Sequence, residues 1–208
     1  VLDGLPPVRL STRSSLAPVD DKAAADIIRI PGRPVNTDAV SYFLDVGPRF
    51  HETFRIPILL GRGIAESDDA SAPRVAVVNE SFARTYFPGE PPLGHEILMD
   101  FPAPSPPIRI VGVVRDTKHV SVRDSAVEPV IYLPDAQRPR TTNAVFTART
   151  VGDTTTARAT IVQAMRKAYP SLPLVRVRTF DEQLGERLAT ERLLSFLSSA
   201  FGVTSLVL

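Results

Sequence analysis

The side chains best suited to acid–base or metal chemistry are three histidines, His51, His95 and His119, and two acidic groupings. A zinc site needs several imidazole or thiolate ligands at short, characteristic spacings, and no pair of these histidines stands at such a spacing. Asp116 and His119 are three residues apart, close enough to pair as the acid and base of a hydrolase. Asp116 follows an apolar run, however, and at a strand exit its short carboxylate favours capping the turn that comes next. Glu66, Asp68 and Asp69 offer oxygen ligands for a hard cation, but the EF-hand spacing and its central glycine are missing, which favours a solvated loop. Gly61-Arg62-Gly63 lacks the further glycines of a dinucleotide fingerprint and suits a turn with positive φ. Neither a Gly-x-Ser-x-Gly elbow nor a Gly-x-x-x-x-Gly-Lys-Ser/Thr phosphate loop occurs. No catalytic, cofactor-binding or metal-binding residue is therefore assigned, and no cofactor is expected.

Composition narrows the function further. Lys and Arg number 24 against 23 Asp and Glu, and neither sign is concentrated, so the basic face needed for nucleic acid is missing. There is no cysteine, hence no disulfide framework and no thiol nucleophile. With 208 residues, 43% of them hydrophobic, the chain can bury about 70% of the surface its unfolded form exposes. The 20 prolines fall mostly between apolar runs and predict short elements joined by stiff loops. The first residue is Val1 and no leader follows it, from which the sequence is expected to begin inside a longer protein.

The elements that must position any site alternate between periods of two and 3.6. Val40, Tyr42, Leu44 and Val46 read as a strand; Gly47-Pro48 then opens a short helix with Pro at N1 and Phe50 and Phe54 on one face. Ile58-Leu59-Leu60 follows as a strand. Ala144, Phe146 and Ala148 make another, Asp153 caps a helix carrying Ala157, Ile161, Ala164, Met165 and Ala168, and Leu174 to Arg178 returns as a strand. Between these two strand-helix-strand units lies a mostly β region. It holds Val75 to Val78, a helix capped by Asn79 and packed through Phe82, Tyr86 and Phe87, then His95 to Leu98, Ile108 to Val114 and Val130 to Leu133. Leu10 to Ala39 is weakly patterned.

The fold class expected is α/β (α+β): a split βαβ subdomain with an inserted β-rich subdomain. Residues 1–62 and 141–180 form the first, and residues 63–140 form the second, giving two lobes.

The C-terminal run Leu193 to Leu208 contains no charged residue. Ahead of it, Thr179-Phe180-Asp181-Glu182 has the form of a capping box, and Leu184 and Leu188 lie one turn apart. Two readings fit the run: a buried C-terminal helix, or a juxtamembrane helix over 181–208 that continues as a transmembrane helix, since a span needs about 20 apolar residues.

Several of these segments together resemble one family. Val46-Gly47-Pro48-Arg49-Phe50 through Pro57-Ile58-Leu59-Leu60-Gly61-Arg62, Ala72-Pro73-Arg74-Val75-Ala76-Val77-Val78-Asn79-Glu80-Ser81-Phe82-Ala83-Arg84-Thr85-Tyr86-Phe87-Pro88-Gly89-Glu90 followed by Pro92-Leu93-Gly94, Ile110-Val111-Gly112-Val113-Val114-Arg115-Asp116, Val130-Ile131-Tyr132-Leu133-Pro134, and Val177 through Leu184 occur in order. They look like the periplasmic core domain of MacB-type, FtsX-like ABC transporter permeases, particularly the duplicated orphan permeases of soil bacteria.

That resemblance implies a non-catalytic domain on the periplasmic face of a bacterial inner membrane, its split subdomain porter-like with an incomplete first half, flanked by membrane helices of the same permease. It implies an ABC ATPase as partner, and a periplasmic adaptor or a second permease half as further partners. The sequence departs from the family at its start, which resembles the middle of the family's domain. A ligand-binding module for a peptide, lipid or antibiotic is the alternative. An enzyme using Asp116 and His119 is the third reading.

Overall fold

Runs of β-branched residues become strands because their side chains pack well on a pleated, buried surface. The computed structural model describes residues 2–17, 23–37, 39–100, 106–117, 127–138, 144–171, 176–183 and 185. In chain order, β1 (Val8–Ser14) and β2 (Ala24–Ile27) precede β3 (Val40–Val46), helix α1 (Phe50–Phe54) and β4 (Ile58–Gly61). Then come β5 (Val75–Asn79), α2 (Glu80–Tyr86), β6 (Glu96–Ile97), β7 (Ile108–Val114) and β8 (Val130–Pro134). The series closes with β9 (Val145–Thr150) and α3 (Thr154–Ala168). The chain divides into two compact units, Val1–Thr160 and Ile161–Leu208, and every one of these strands lies in the first.

The strands form a mixed, nine-stranded sheet in the order β4-β7-β5-β8-β3-β1-β9, with β2 added against β3 and β6 against β7. Two pairings are parallel, β5 with β7 and β3 with β8; the others are antiparallel. β5 and β8 sit centrally and are buried along their whole lengths, which explains why they read as near-continuous apolar runs. The parallel register from Tyr42↔Val130 to Val46↔Pro134 joins strands from residues 63–140 to those from the flanking segments in this one sheet.

Alternation along the strands builds two core layers, one on each face. Phe43, Val78 and Ile131 point into the layer covered by Phe82, Tyr86 and Phe87 of α2 and its exit. Leu44, Val77 and Tyr132 point into the other, which holds Phe50 of α1, with Phe54 packed against it. The ring pairs Phe82–Tyr86 and Phe50–Phe54 lie 4.6 and 4.7 Å apart between centroids. Each such buried aromatic contributes on the order of 2–3 kcal/mol.

Local signals hold at most element boundaries. Asn79 caps α2, its Oδ1 accepting from the Phe82 amide, and Asp153 Oδ2 accepts from the Thr156 amide at the start of α3. The start of α1 departs from the sequence expectation. Pro48 is not at N1: the helix begins at Phe50, and Arg49 is its N-cap, in the left-handed region at φ 59°. The cause is β1. The Gly47 amide donates to the Arg13 carbonyl (2.8 Å), and the Thr12 hydroxyl donates to the Pro48 carbonyl (3.0 Å). These bonds tie Gly47 and Pro48 to β1 beyond the end of β3, and the helix starts only at Phe50. The strand expected over Leu174 to Arg178 does not form at residues 176–178; Leu174 and Val175 lie outside the described residues.

Candidate functional site

Of the Asp116–His119 pair, Asp116 lies at the α2 N-terminus, beside Asn79. Asn79 ends β5 and caps α2, and it is fully buried. Its Oδ1 accepts from the Phe82 amide (3.0 Å) and the Val130 amide (2.9 Å), while Nδ2 donates to the Glu128 carbonyl (2.9 Å). Asp116 arrives from the end of β7. Its Oδ1 accepts from the Ser81 amide (2.8 Å), its Oδ2 from Arg84 (2.7 Å), and its own amide donates to Glu80 Oε2 (2.9 Å). Asp116 thus caps a helix 35 residues upstream in sequence. Negative charge is favoured there by the partial positive charge of the helix end. Both oxygens already accept from donors of the same chain. His119, the other half of the suggested pair, lies outside the described residues.

The acidic loop is organised by Arg62. Asp68, only 5% exposed, receives two parallel bonds from its guanidinium (2.7 and 2.8 Å) and a third from the Ala65 amide (2.8 Å). Asp69 closes its own turn, accepting from the Ser71 amide (2.8 Å) and hydroxyl (2.7 Å), and Glu66 is exposed. Burial acts to raise the Asp68 carboxyl, but the Arg62 and Ala65 bonds outweigh it and hold it below the usual 3.8. A depressed folded-state value contributes stability that is present above the unfolded value and lost as pH falls through the folded one. Asp68→Asn is therefore expected to cost about 1 kcal/mol or less near neutral pH. Denaturant melts should also show a shallower acid limb for the variant below about pH 4. An acid limb identical to wild type would count against this assignment.

The two described histidines serve packing. His51 on α1 is 2% exposed and stands edge-on to Tyr132, with ring centroids 4.7 Å apart. Burial pushes the Tyr132 phenol far above its ordinary range, so it stays neutral. His95 lies tilted against Phe87 at 5.0 Å. Among the described residues, no three His, Asp or Glu come together as a cation site would require.

A third constellation was not visible as a motif. Strand β1 carries a bulge at Arg9, between the pairs Val8↔Thr150 and Leu10↔Arg149, so Arg9 is the extra residue beside Arg149. Arg149 donates to the Thr53 carbonyl in the last turn of α1. Arg55 closes that turn as the C-cap, at φ 56°, its amide donating to the Glu52 carbonyl (3.1 Å). Desolvation chiefly, then the charges of Arg55 and Arg9, lowers the Arg149 guanidinium. None of the three pairs with a carboxylate among the described residues. The three are 46 and 94 or more residues apart in sequence, and the β1–β9 pairing and the end of α1 together bring them near one another.

In the second unit, the capping box forms as its residue types predict. The Thr179 amide donates to Glu182 Oε2 (2.8 Å), the Glu182 amide donates to Thr179 Oγ1 (3.1 Å), and residues 180–183 are helical. Leu184, Leu188 and the uncharged run from Leu193 lie outside the described residues. No helix among the described residues is long and apolar enough to cross a membrane.

A sequence profile of the MacB-like periplasmic core domain matches residues 6–168. No curated protein matches the chain. Among solved structures, the periplasmic region of MacB from Actinobacillus actinomycetemcomitans is similar with a TM-score of 0.58 at 18% identity, over 81% of this chain and 71% of that one. A domain of a putative permease from Porphyromonas gingivalis aligns with a TM-score of 0.54 at 16% identity, over 79% and 72%. The extracellular domain of the noncanonic ABC-type transporter YknZ from Gram-positive bacteria aligns at 0.54 and 13%, over 82% and 81%. These likenesses agree in fold, and the profile spans all nine strands of the mixed sheet and α3. The chain belongs to the MacB-like periplasmic core domain family, the extracytoplasmic domain of ABC transporter permeases.

Proposed function

We propose that the domain works mechanically for its permease, carrying the ATP-driven displacement of membrane helices to the extracytoplasmic side with no bond chemistry of its own. The observation that supports this best is the continuous hydrogen-bonded run β4-β7-β5-β8-β3-β1-β9. Shifting one strand of such a sheet costs ladder bonds and disturbs a close-packed layer on each face, so force applied at one place moves the whole. A stiff body of this kind suits hinge or shear coupling. The commitment of Asp116, Asp68 and His51 to intrachain contacts points the same way.

In this reading, segments 1–62 and 141–180 lie nearest the membrane helices, and 63–140 reaches toward a periplasmic adaptor or a second permease half. The helix begun by Thr179 and Glu182 is the lead-in to the next membrane helix. Gln183→Pro in the membrane-embedded parent tests this. The Gln183 amide donates to the Thr179 carbonyl (3.1 Å), and proline both removes that bond and strains the first turn by about 3 kcal/mol. ATP hydrolysis should persist while transport is lost. Undiminished transport in the variant would refute mechanical coupling through this helix.

A further inference from the structure

We infer that Arg9, Arg55 and Arg149 together form an anion site that takes a phosphoryl group, either free or as the headgroup of a lipid. The inference goes beyond the coupling role and does not depend on it.

Three features of the geometry carry it. First, the β-bulge inserts Arg9 beside Arg149, where regular alternation would have separated the two side chains on the strand pair. Second, Arg55 occupies a left-handed position that glycine would take without strain. An arginine kept there at a conformational cost points to use of its side chain. Third, the Arg149 guanidinium reaches the last turn of α1, Arg55 closes that turn, Arg9 stands beside Arg149 in the ladder, and no carboxylate pairs any of the three among the described residues. Like charges held together repel, and a bound anion relieves the repulsion.

The bland alternative is that the arginines merely satisfy the carbonyls at the end of α1. In the last turn, backbone amides already serve two of those carbonyls and Arg149 a third. The Arg49 carbonyl already accepts from the Thr53 amide (2.8 Å), His51 from Ile56 (2.8 Å) and Glu52 from Arg55 (3.1 Å). Arg149 supplies the Thr53 carbonyl, whereas Arg9 and Arg55, both exposed, make no side-chain hydrogen bond to a helix carbonyl among the described residues. The choice of phosphoryl over carboxylate follows from the donors. A carboxylate matches one guanidinium fork through two oxygens, whereas a phosphoryl group presents three or more oxygens in a tetrahedron and more negative charge, which several forks can share.

The test titrates the full chain at low ionic strength with inorganic phosphate and, in a parallel arm, with dihexanoyl phosphatidylglycerol below its micelle concentration. Binding is followed by calorimetry and by chemical-shift changes at the Arg9, Arg55 and Arg149 amides. Saturable binding is expected, weakened about tenfold or more in the Arg9→Gln/Arg55→Gln double variant and by added salt. Tighter binding of the lipid identifies a headgroup; equal binding identifies the free phosphoryl group.

Arg55→Gly separates a binding role from a folding one. It should raise the unfolding midpoint, because glycine relaxes the turn, while weakening phosphate binding. Phosphate binding that is absent from wild type, or unchanged in both the double variant and Arg55→Gly, overturns the inference. Because no arm measures transport or ATP hydrolysis, failure here leaves mechanical coupling to be judged by its own experiment.

Discussion

Replacing Gly112 by alanine is expected to remove roughly 2–4 kcal/mol of folding stability, a large share of the 5–15 kcal/mol typical of a domain. A Cβ added at Gly112 would lie 1.9 Å from the Arg62 carbonyl oxygen and 3.0 Å from its carbon. The obstacle is backbone, so no side-chain rotation relieves it. The facing residue is as constrained: Gly61 pairs with Gly112, has φ +68°, and its own Cβ would lie 2.2 Å from the Val111 carbonyl oxygen. That carbonyl accepts from the Arg62 amide (3.0 Å), so moving the strands apart also breaks a ladder bond. Either β4 separates from β7, or β7 shifts against β5, whose partner Val77 also pairs with Gly112. Urea denaturation of the full chain gives the free energy, and hydrogen exchange at the Arg62 amide reports the local separation. A loss under about 0.5 kcal/mol with unchanged exchange would show that the strands accommodate a methyl group and that the close approach is not needed.

Where an element shows in the sequence depends on what its inward positions carry. β3, β5, β7 and β8 put apolar side chains into the two layers, and their runs stand out by composition and period. β1 does not, because two of its three buried positions, Thr12 and Ser14, are polar, satisfied by the Pro48 and Leu16 carbonyls. Its bulge at Arg9 interrupts the alternation as well. β2 is a four-residue strand with no fully buried position, and so leaves no hydrophobic period to read. Caps were more transparent than topology. Asn79, Asp153 and the Thr179–Glu182 pair act within three residues of themselves, so local chemistry determines their partners.

Pairings such as β3 with β8 connect residues nearly 90 apart and depend on the packing of the whole sheet. The same separation in scale explains the site residues. Asp116 was visible as a carboxylate at a strand end, but its partners Ser81 and Arg84 come from a helix that only the parallel β5–β7 pairing brings alongside. The arginine cluster needed a bulge, a helix end and an edge strand to meet, and no spacing in one dimension encodes that.

Asn79→Ala should be comparably damaging, by about 2–5 kcal/mol, for an electrostatic instead of a steric reason. The Asn79 side chain is the acceptor for two amides, Phe82 and Val130, and the donor to the Glu128 carbonyl. One amide belongs to the first turn of α2 and the other opens β8, so a single carboxamide ties a helix start to a neighbouring strand. Alanine removes a helix cap and leaves two amide donors without their acceptor in a site closed to solvent, each at a cost of about 1–3 kcal/mol. Asn79→Asp discriminates between the terms. It retains the acceptor for both amides but places a carboxylate oxygen against the Glu128 carbonyl when ionised. Burial and that carbonyl should raise its folded-state pKa above the unfolded value of about 3.9. A raised carboxyl loses stability as pH climbs above the unfolded value, so this variant should approach wild type in acid and fall away toward neutrality. Denaturant melts of both variants between pH 4 and 8 measure the two effects together. A cost below about 1 kcal/mol for Asn79→Ala, or a pH-independent Asn79→Asp, would mean that water reaches the junction and replaces the side chain.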